Sequence, residues 1–223
     1  MKHTETELVQ IKESISEMWK LVQSQFNKSK EALLTGNPDL ARVVLSTEKR
    51  VNAFELKIDS DCENYIALFS PVAIDLRLVL SLLKINKTLE RIGDFAEGIA
   101  KFVISSPAND QQKALLKEMK APEMMNCVED MLEKSLESIN SENSAIAGSV
   151  FSIDNKIDKD YSNAYSILAK HIEKHPEDIM YCLSAVSLLR KIERSGDHCN
   201  NIMEEIVFYL DAKVLKHQKS ISK

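Results

Sequence analysis

The chain repeats one acidic motif at a long interval, and this repeat limits its fold more than any other feature. Residues 90–94 (Glu-Arg-Ile-Gly-Asp) recur 103 positions later as residues 193–197 (Glu-Arg-Ser-Gly-Asp). Residues 48–52 and 154–158 share a second pattern at an interval of 106: an acidic residue is followed four positions later by Asn or Asp. Such repeats are typical of chains built from duplicated structural units. We therefore expect two related units in tandem.

The scarcity of turn residues favours long helices within each unit. Only 5 Gly and 5 Pro occur in 223 residues, and the sequence lacks β-branched or aromatic runs bounded by Gly or Asn-Gly, which argues against an all-β fold. Hydrophobic residues make up 44% of the chain, which is enough for a packed core. No apolar run approaches the ~18 residues that a membrane span needs. We therefore expect no direct membrane insertion.

Four prolines mark predicted helix starts. Pro38, Pro71, Pro122 and Pro176 each precede a stretch of helical periodicity, and Pro is favoured at the first helical position. The Asn and the Ser that precede the first two prolines are the expected N-caps. The six predicted helices lie near residues 5–35, 38–69, 71–105, 122–140, 143–174 and 176–212, with a polar connector at 106–121 that has room for a short extra turn.

Apolar side chains at helical spacing predict the buried faces of these helices. Ile92 belongs to such a stripe in the third helix, and Ile179 and Leu183 begin one in the sixth. Long helices joined by short turns lie antiparallel to their neighbours. The expected fold class is all-α, with two tandem three-helix bundles at residues 1–106 and 122–223, joined by a connector at 107–121.

Charge and cysteine usage indicate a cytoplasmic protein without a nucleic-acid partner. The net charge is −5, whereas non-specific nucleic-acid binding depends on clustered Lys and Arg. The first residues have no apolar segment of the kind found in secretory signals. Cys62, Cys127, Cys182 and Cys199 form no Cys-x-x-Cys pair, so we expect reduced thiols rather than disulfides or a zinc site built from cysteines.

The acidic motifs place two carboxylates on one face of a helix. Residues four positions apart on a helix project together, and like-charged pairs of this kind destabilise a helix by roughly 0.2–0.5 kcal/mol. Because the cost recurs in both units, a compensating cation is expected. Basic side chains are one source of positive charge, and the nearby candidates are Arg91, Arg194, Lys84 and Arg190.

Bound metal is the other source of positive charge. If the pair on the second helix of a unit faces the pair on the third, up to four carboxylates converge, as in helical bundles that hold multinuclear metals. Such oxygens suit magnesium, manganese, calcium or iron. The second unit keeps four acids, whereas Asn52 replaces one in the first. We expect the second site to bind metal more tightly.

Two further features lie beside these acids. Gly93 and Gly196 stand at the middle of predicted helices, where Gly costs roughly 0.5–1 kcal/mol relative to Ala, and we interpret them as positions of close helix approach. His198 follows Asp197 directly and is turned about 100° from it by helical geometry, so that it points away from a shared metal.

The sequence resembles the PhoU family of phosphate-signalling regulators over nearly its whole length. The resemblance rests on residues 70–77 (Ser-Pro-Val-Ala-Ile-Asp-Leu-Arg), on residues 90–94 and 193–198, and on Asn201-Ile202. It implies two three-helix bundles, frequently dimeric, with clusters of divalent or trivalent metal such as iron, manganese, magnesium or zinc. The positions implied as metal ligands are Glu48, Asn52, Glu90, Asp94, Asp154, Asp158, Glu193 and Asp197, with Asp75 adjacent.

The resemblance also implies a function. PhoU proteins are cytoplasmic negative regulators that link the phosphate ABC transporter to a sensor histidine kinase and restrain phosphate uptake when phosphate is plentiful. The implied partners are the transporter ATPase, the kinase and a second copy of the chain, and contact with them would place the protein at the inner membrane. The chain departs from the family pattern at Asn52, Ser195 and Met180. PhoU-like domains also accompany sodium–phosphate cotransporters, so the resemblance does not decide which type of transporter is the partner.

Two other classes of function stay open. A di-iron carboxylate (ferritin-like) oxidase could use a helical bundle, but that class carries Glu-x-x-His motifs, which this sequence lacks. With no activated Ser or Cys and no glycine-rich phosphate loop, we expect the protein not to be an enzyme. The second alternative is a helical scaffold whose acidic pairs bind only basic residues of a partner.

Overall fold

The computed structural model describes residues 2–215, and their side chains from residue 5 onward. Within this range the chain forms seven α-helices and two short 3₁₀ helices, with no strand. The all-α class is confirmed. The α-helices are α1 (Lys2–Thr35), α2 (Pro38–Phe69), α3 (Ala73–Ser105), α4 (Asp110–Glu118), α5 (Ala121–Asn140), α6 (Ala147–Lys174) and α7 (Ile179–Asp211), and the 3₁₀ helices at Ser144–Ile146 and Pro176–Asp178 precede α6 and α7.

The predicted helix caps are right at the start of α2 and wrong at the start of α3. The Asn37 side chain accepts hydrogen bonds from the backbone N–H groups of Asp39 and Leu40, as an N-cap should. Ser70 instead ends α2 in the left-handed region, with φ of 44°, and α3 begins only at Ala73. The chain therefore closes one helix through Ser70 before Pro71 can open the next.

The connector between the two units is more ordered than expected. Residues 110–118 form the helix α4, which starts with a capping box between Asn109 and Gln112. Leu115 and Leu116 are buried against the core. With only two large apolar side chains to bury, α4 carries too short a periodic signal to be identified from sequence.

The helices form two bundles that share one core. Helices α1, α2 and α3 pack together, as do α5, α6 and α7, and α3 lies along α7. Phe95 meets His198 at a ring-centroid distance of 5.4 Å, and Phe102 meets Tyr181 at 5.8 Å, so α3 and α7 run antiparallel. The buried apolar core continues through both bundles. The division at residues 106, 107–121 and 122 stays a prediction.

The predicted apolar face of the last helix is partly wrong. Ile179 and Leu183 are exposed, whereas Tyr181 and Cys182 are buried. Helix α7 therefore begins with its core face rotated from the predicted stripe. No helix of the described segment is long and apolar enough to cross a membrane.

Candidate functional site

The first acidic cluster lies where α2 faces α3. Glu48 projects from α2 and is buried, while Glu90 and Asp94 project from α3 and are partly exposed. Burial raises the pKa of Glu48; a hydrogen bond from Gln25 opposes this, and the charges of Asp94, Glu97 and Glu90 add to it. These four carboxylates are thus close enough to act on one another. Asn52, one turn after Glu48, is exposed on the same helix.

Helix α1 closes this cluster from the inside. The Nε2 group of Gln25 donates to Glu48 Oε2 at 2.8 Å and to the carbonyl oxygen of Val44 at 3.4 Å. A Cβ atom on Gly93 would lie 3.1 Å from Gln25 Oε1 and 3.3 Å from Glu48 Oε2. Helix α3 can approach these polar groups so closely because residue 93 has no side chain. The predicted close approach is present here.

The second acidic cluster lies where α6 faces α7. Asp154 is fully buried on α6, Asp158 is exposed one turn later, and Glu193 and Asp197 stand on α7. Burial raises the pKa of Glu193 most, followed by the charges of Asp197, Asp158 and Asp154, while Arg190 opposes the shift. All four predicted acids of the second unit are therefore near one another.

The close approach at Gly93 has a counterpart in the second cluster. A Cβ atom on Gly196 would lie 3.1 Å from Asp154 Oδ1 and 3.0 Å from Ile157 Cδ1. The buried carboxylate of Asp154 accepts a short hydrogen bond from Asn200 Nδ2. A glycine on α7 thus admits the acid of α6, as Gly93 on α3 admits the acid of α2.

Sequence reasoning missed one position in each cluster. Glu97 acts on the pKa of Glu48 in the first cluster, and Asn200, 103 residues later, holds Asp154 in the second. Both stand seven positions after the first acid of the motif, on the same helix face. Each cluster therefore brings together four carboxylates, and an amide holds the buried acid of each: Gln25 on α1 holds Glu48, and Asn200 on α7 holds Asp154.

Basic residues neutralise part of the first cluster. Arg91 Nη1 lies 3.0 Å from Asp94 Oδ2, and its Nε lies 3.6 Å from Glu90 Oε2. Lys87 Nζ lies 3.8 Å from the same Glu90 oxygen. Of the basic candidates named from sequence, Arg91 thus contacts the acids.

The other three basic candidates have different places. Arg190 acts on Glu193 through its charge. Arg194 lies over the ring of Phe95, and Lys84 pairs with Glu205. The expectation that the second cluster binds metal more tightly than the first stays a prediction.

The donor chemistry of the clusters fits a hard metal ion. Glu48 Oε1 and Gln25 Oε1 are buried and accept no hydrogen bond from any described residue, an arrangement that costs free energy unless a cation is supplied. As the side chains stand, no group of three or more His, Cys, Asp or Glu residues between positions 5 and 215 surrounds a metal position. Metal binding therefore requires the partly exposed acids, such as Asp94, to turn inward.

Two residues near the motifs do not join the clusters. Asp75 stands at the start of α3, about 22 Å along the helix from Glu90 at 1.5 Å per residue. His198 packs against Phe95 between α3 and α7. Burial, reinforced by Arg194 and Arg91, lowers the pKa of His198 to about 4. The His198 ring is therefore neutral at pH 7 and faces the interface between the bundles, as its turn away from Asp197 predicted.

The buried acids give the metal-free protein a pH dependence of known sign. The pKa values of Glu48, Glu90 and Glu193 are raised by burial, so the folded state binds more protons than the unfolded state above the ordinary carboxyl pKa. Stability then falls as the pH rises through the folded pKa values. We expect Glu48→Gln to raise the free energy of unfolding at pH 7 by about 1–2 kcal/mol and to flatten the pH dependence.

Urea unfolding of the chelated protein at pH 5 and pH 7 measures this effect. Exposed Glu133 provides the matched control, since Glu133→Gln removes the same charge from the surface of α5. A Glu48→Gln variant that is less stable than the parent at pH 7, or that keeps the parent's pH slope, would contradict the interpretation of Glu48 as a buried acid with a raised pKa.

Known proteins share both the sequence pattern and the fold. A family model described as "PhoU domain" matches residues 15–103 and again residues 121–206. The phosphate-specific transport system accessory protein PhoU of Edwardsiella tarda is 31% identical, across 97% of this chain and 89% of that protein. The protein of the same name from Escherichia coli (strain K12) is 30% identical, across 95% and 86%.

The fold comparison agrees with the sequence comparison. The crystal structure of PhoU from Pseudomonas aeruginosa superposes with a TM-score of 0.86 and 28% identity, covering 94% of this chain and 99% of that one. The two matched segments each contain one acidic cluster, and the sequence resemblance is confirmed along nearly the full length. The chain therefore belongs to the PhoU family.

Proposed function

We propose that this chain is a metal-binding accessory protein of phosphate-specific transport, and that it restrains phosphate uptake by contact with other proteins. The observation that carries the proposal is the similarity to relatives that are named accessory proteins of that transport system, which extends across 95–97% of the chain. A duplicated helical fold with both acidic clusters in place fits the same role.

The proposed partners are the ATPase of a phosphate ABC transporter and a sensor histidine kinase. Neither contact needs a membrane-spanning helix in this chain, because the ATPase and the kinase would bring the protein to the inner membrane from the cytoplasmic side. A second copy of the chain is the third proposed partner. The relatives' names support the transporter most directly, since they describe parts of a transport system.

The two acidic clusters are the proposed metal sites. The ligands would be Glu48, Asn52, Glu90 and Asp94 in the first unit, joined by Glu97, and Asp154, Asp158, Glu193 and Asp197 in the second. Bound iron, manganese, magnesium or zinc would supply positive charge between helices that otherwise repel each other. Glu48 already joins α2 to α1 through Gln25, and Asp154 joins α6 to α7 through Asn200.

Deletion of the gene for this protein from its own host tests the regulatory role. We expect phosphate uptake and the expression of phosphate-starvation genes to rise in phosphate-rich medium and to return to normal when the wild-type chain is restored. A deletion that leaves both unchanged would contradict the proposal.

Affinity purification from the same host distinguishes the possible transporters. Recovery of an ABC ATPase with a histidine kinase supports the partners proposed here, whereas recovery of a sodium–phosphate cotransporter would replace them. Oxygen consumption by the ferrous-loaded protein would instead indicate the oxidase.

A further inference from the structure

A groove between α3 and α7 is lined by hydrogen-bond donors and by no acid. It encloses about 280 Å³ on the side of α3 that carries Gly98 and Phe102. Its lining has no Asp or Glu, although the chain has a net charge of −5 with 34 acidic residues. The polar residues that line the groove are Lys101, Ser105, Ser106, Ser184, Ser187 and Lys191.

Lys191 is held in this groove by the absence of a side chain opposite it. A Cβ atom on Gly98 would lie 2.6 Å from Lys191 Cε, so the aliphatic part of the lysine lies directly on the backbone of α3. Its ammonium donates to Ser187 Oγ at 2.8 Å and to the Ser187 carbonyl oxygen at 3.4 Å. Within the described part of the chain, no carboxylate lies within 4 Å of Lys191 Nζ. Burial lowers the pKa of Lys191.

The internal repeat allows this groove to be compared with a second groove between the same two helices. On the other side of the α3–α7 contact, Lys84 pairs with Glu205 at 3.0 Å, and Glu205 is buried. The residue that corresponds to Glu205 in the first unit, 103 positions earlier, is Phe102, which lines the groove of Lys191. One groove therefore contains its own anion for its lysine, and the other does not.

Further donors converge on the same place. Ser187 accepts its hydrogen bond from Lys191, so its hydroxyl hydrogen is left for another acceptor. Lys101, on α3, is bound to Glu97 at 2.5 Å and lines the groove with its aliphatic chain. An oxyanion in the groove would meet one ammonium group without a carboxylate and at least one hydroxyl donor, and charge-assisted hydrogen bonds of this kind are the strong ones.

We propose that this groove binds a phosphate group, with Lys191 and Ser187 as the principal donors. Lys191 and Ser187 belong to neither acidic cluster, so they can bind phosphate when the clusters hold no metal. Lys101 is the groove residue that pairs with a cluster acid, Glu97. The inference deepens the proposed function by naming a signal that the protein reads, and it rests on that function only for its biological meaning. Binding to the purified protein is measured without any uptake assay, so the two proposals can fail separately.

Titration calorimetry of the purified full chain in chelating buffer tests the proposal, with inorganic phosphate and phosphoserine amide as the two probes. We expect Lys191→Gln to weaken binding at least about tenfold, as loss of a charge-assisted hydrogen bond does. The matched control is Lys84→Gln, which removes the lysine of the other groove and should leave binding unchanged. The probe that binds more tightly identifies the source, free phosphate or a phosphorylated side chain.

Several results would overturn the proposal. The first is that neither probe binds the wild-type chain at millimolar concentration. The second is that Lys191→Gln and Lys84→Gln weaken binding equally, which would indicate only a general charge effect. If Lys191→Gln disturbs the fold, as judged by circular dichroism, Ser187→Ala replaces it. Unchanged binding in a folded Ser187→Ala protein then counts against the groove.

Discussion

Replacing Trp19 by alanine is expected to lower the free energy of unfolding by about 3–5 kcal/mol, the range for truncating a large aromatic core residue. Trp19 is fully buried on α1. Its indole N–H donates to the carbonyl oxygen of Leu132, on α5, at 3.2 Å. The side chain therefore fills the core of the first bundle and also joins it to the second.

Urea unfolding followed by far-ultraviolet circular dichroism measures this loss, because Trp19 is the only tryptophan and its removal abolishes the fluorescence signal. Trp19→Phe is the control: it keeps an aromatic ring and loses the N–H donor, and should cost less than the alanine variant. If the two bundles share one core, a single transition is expected for both variants. A loss below about 1 kcal/mol in Trp19→Ala would contradict the burial of this residue.

The helices could be predicted because several local signals agree. Pro38 and the Asn37 cap mark a start that the structure reproduces, and the apolar period of 3.6 covers more than eight turns in the longest helices. Helix boundaries that were predicted from a single residue were less accurate. Ser70 looks like an N-cap in sequence, yet Ser70 closes α2 in the left-handed conformation, a position that Gly usually takes.

The acidic clusters could be predicted only in part, for a geometric reason. Residues four apart on one helix share a face, so Glu193 and Asp197 are identified from spacing alone. Glu97 extends the same face by another turn and lies outside the motif. Gln25 stands on α1, 23 residues before the Glu48 that it contacts, and no spacing rule connects helices that meet only through the tertiary fold.

Loss of metal from specific variants is the second large effect that we expect. Glu193→Gln combined with Asp197→Asn removes two charges from the second cluster and keeps the size of each side chain. The first motif has Asn52 where the second has Asp158, so we expect the second cluster to hold metal more tightly. This double variant should therefore lose the metal that resists dialysis, whereas Glu90→Gln with Asp94→Asn should lose only the weaker fraction.

Metal analysis by mass spectrometry is the most direct test of the central claim that both acidic clusters bind metal. The wild-type chain and the two double variants are equilibrated with manganese or ferrous iron, dialysed, and compared with a chain that carries all four substitutions. The account predicts bound metal in the wild-type chain, part of it in each double variant, and only background in the fourfold variant. A wild-type chain without metal, or a fourfold variant that keeps the wild-type amount, would contradict it.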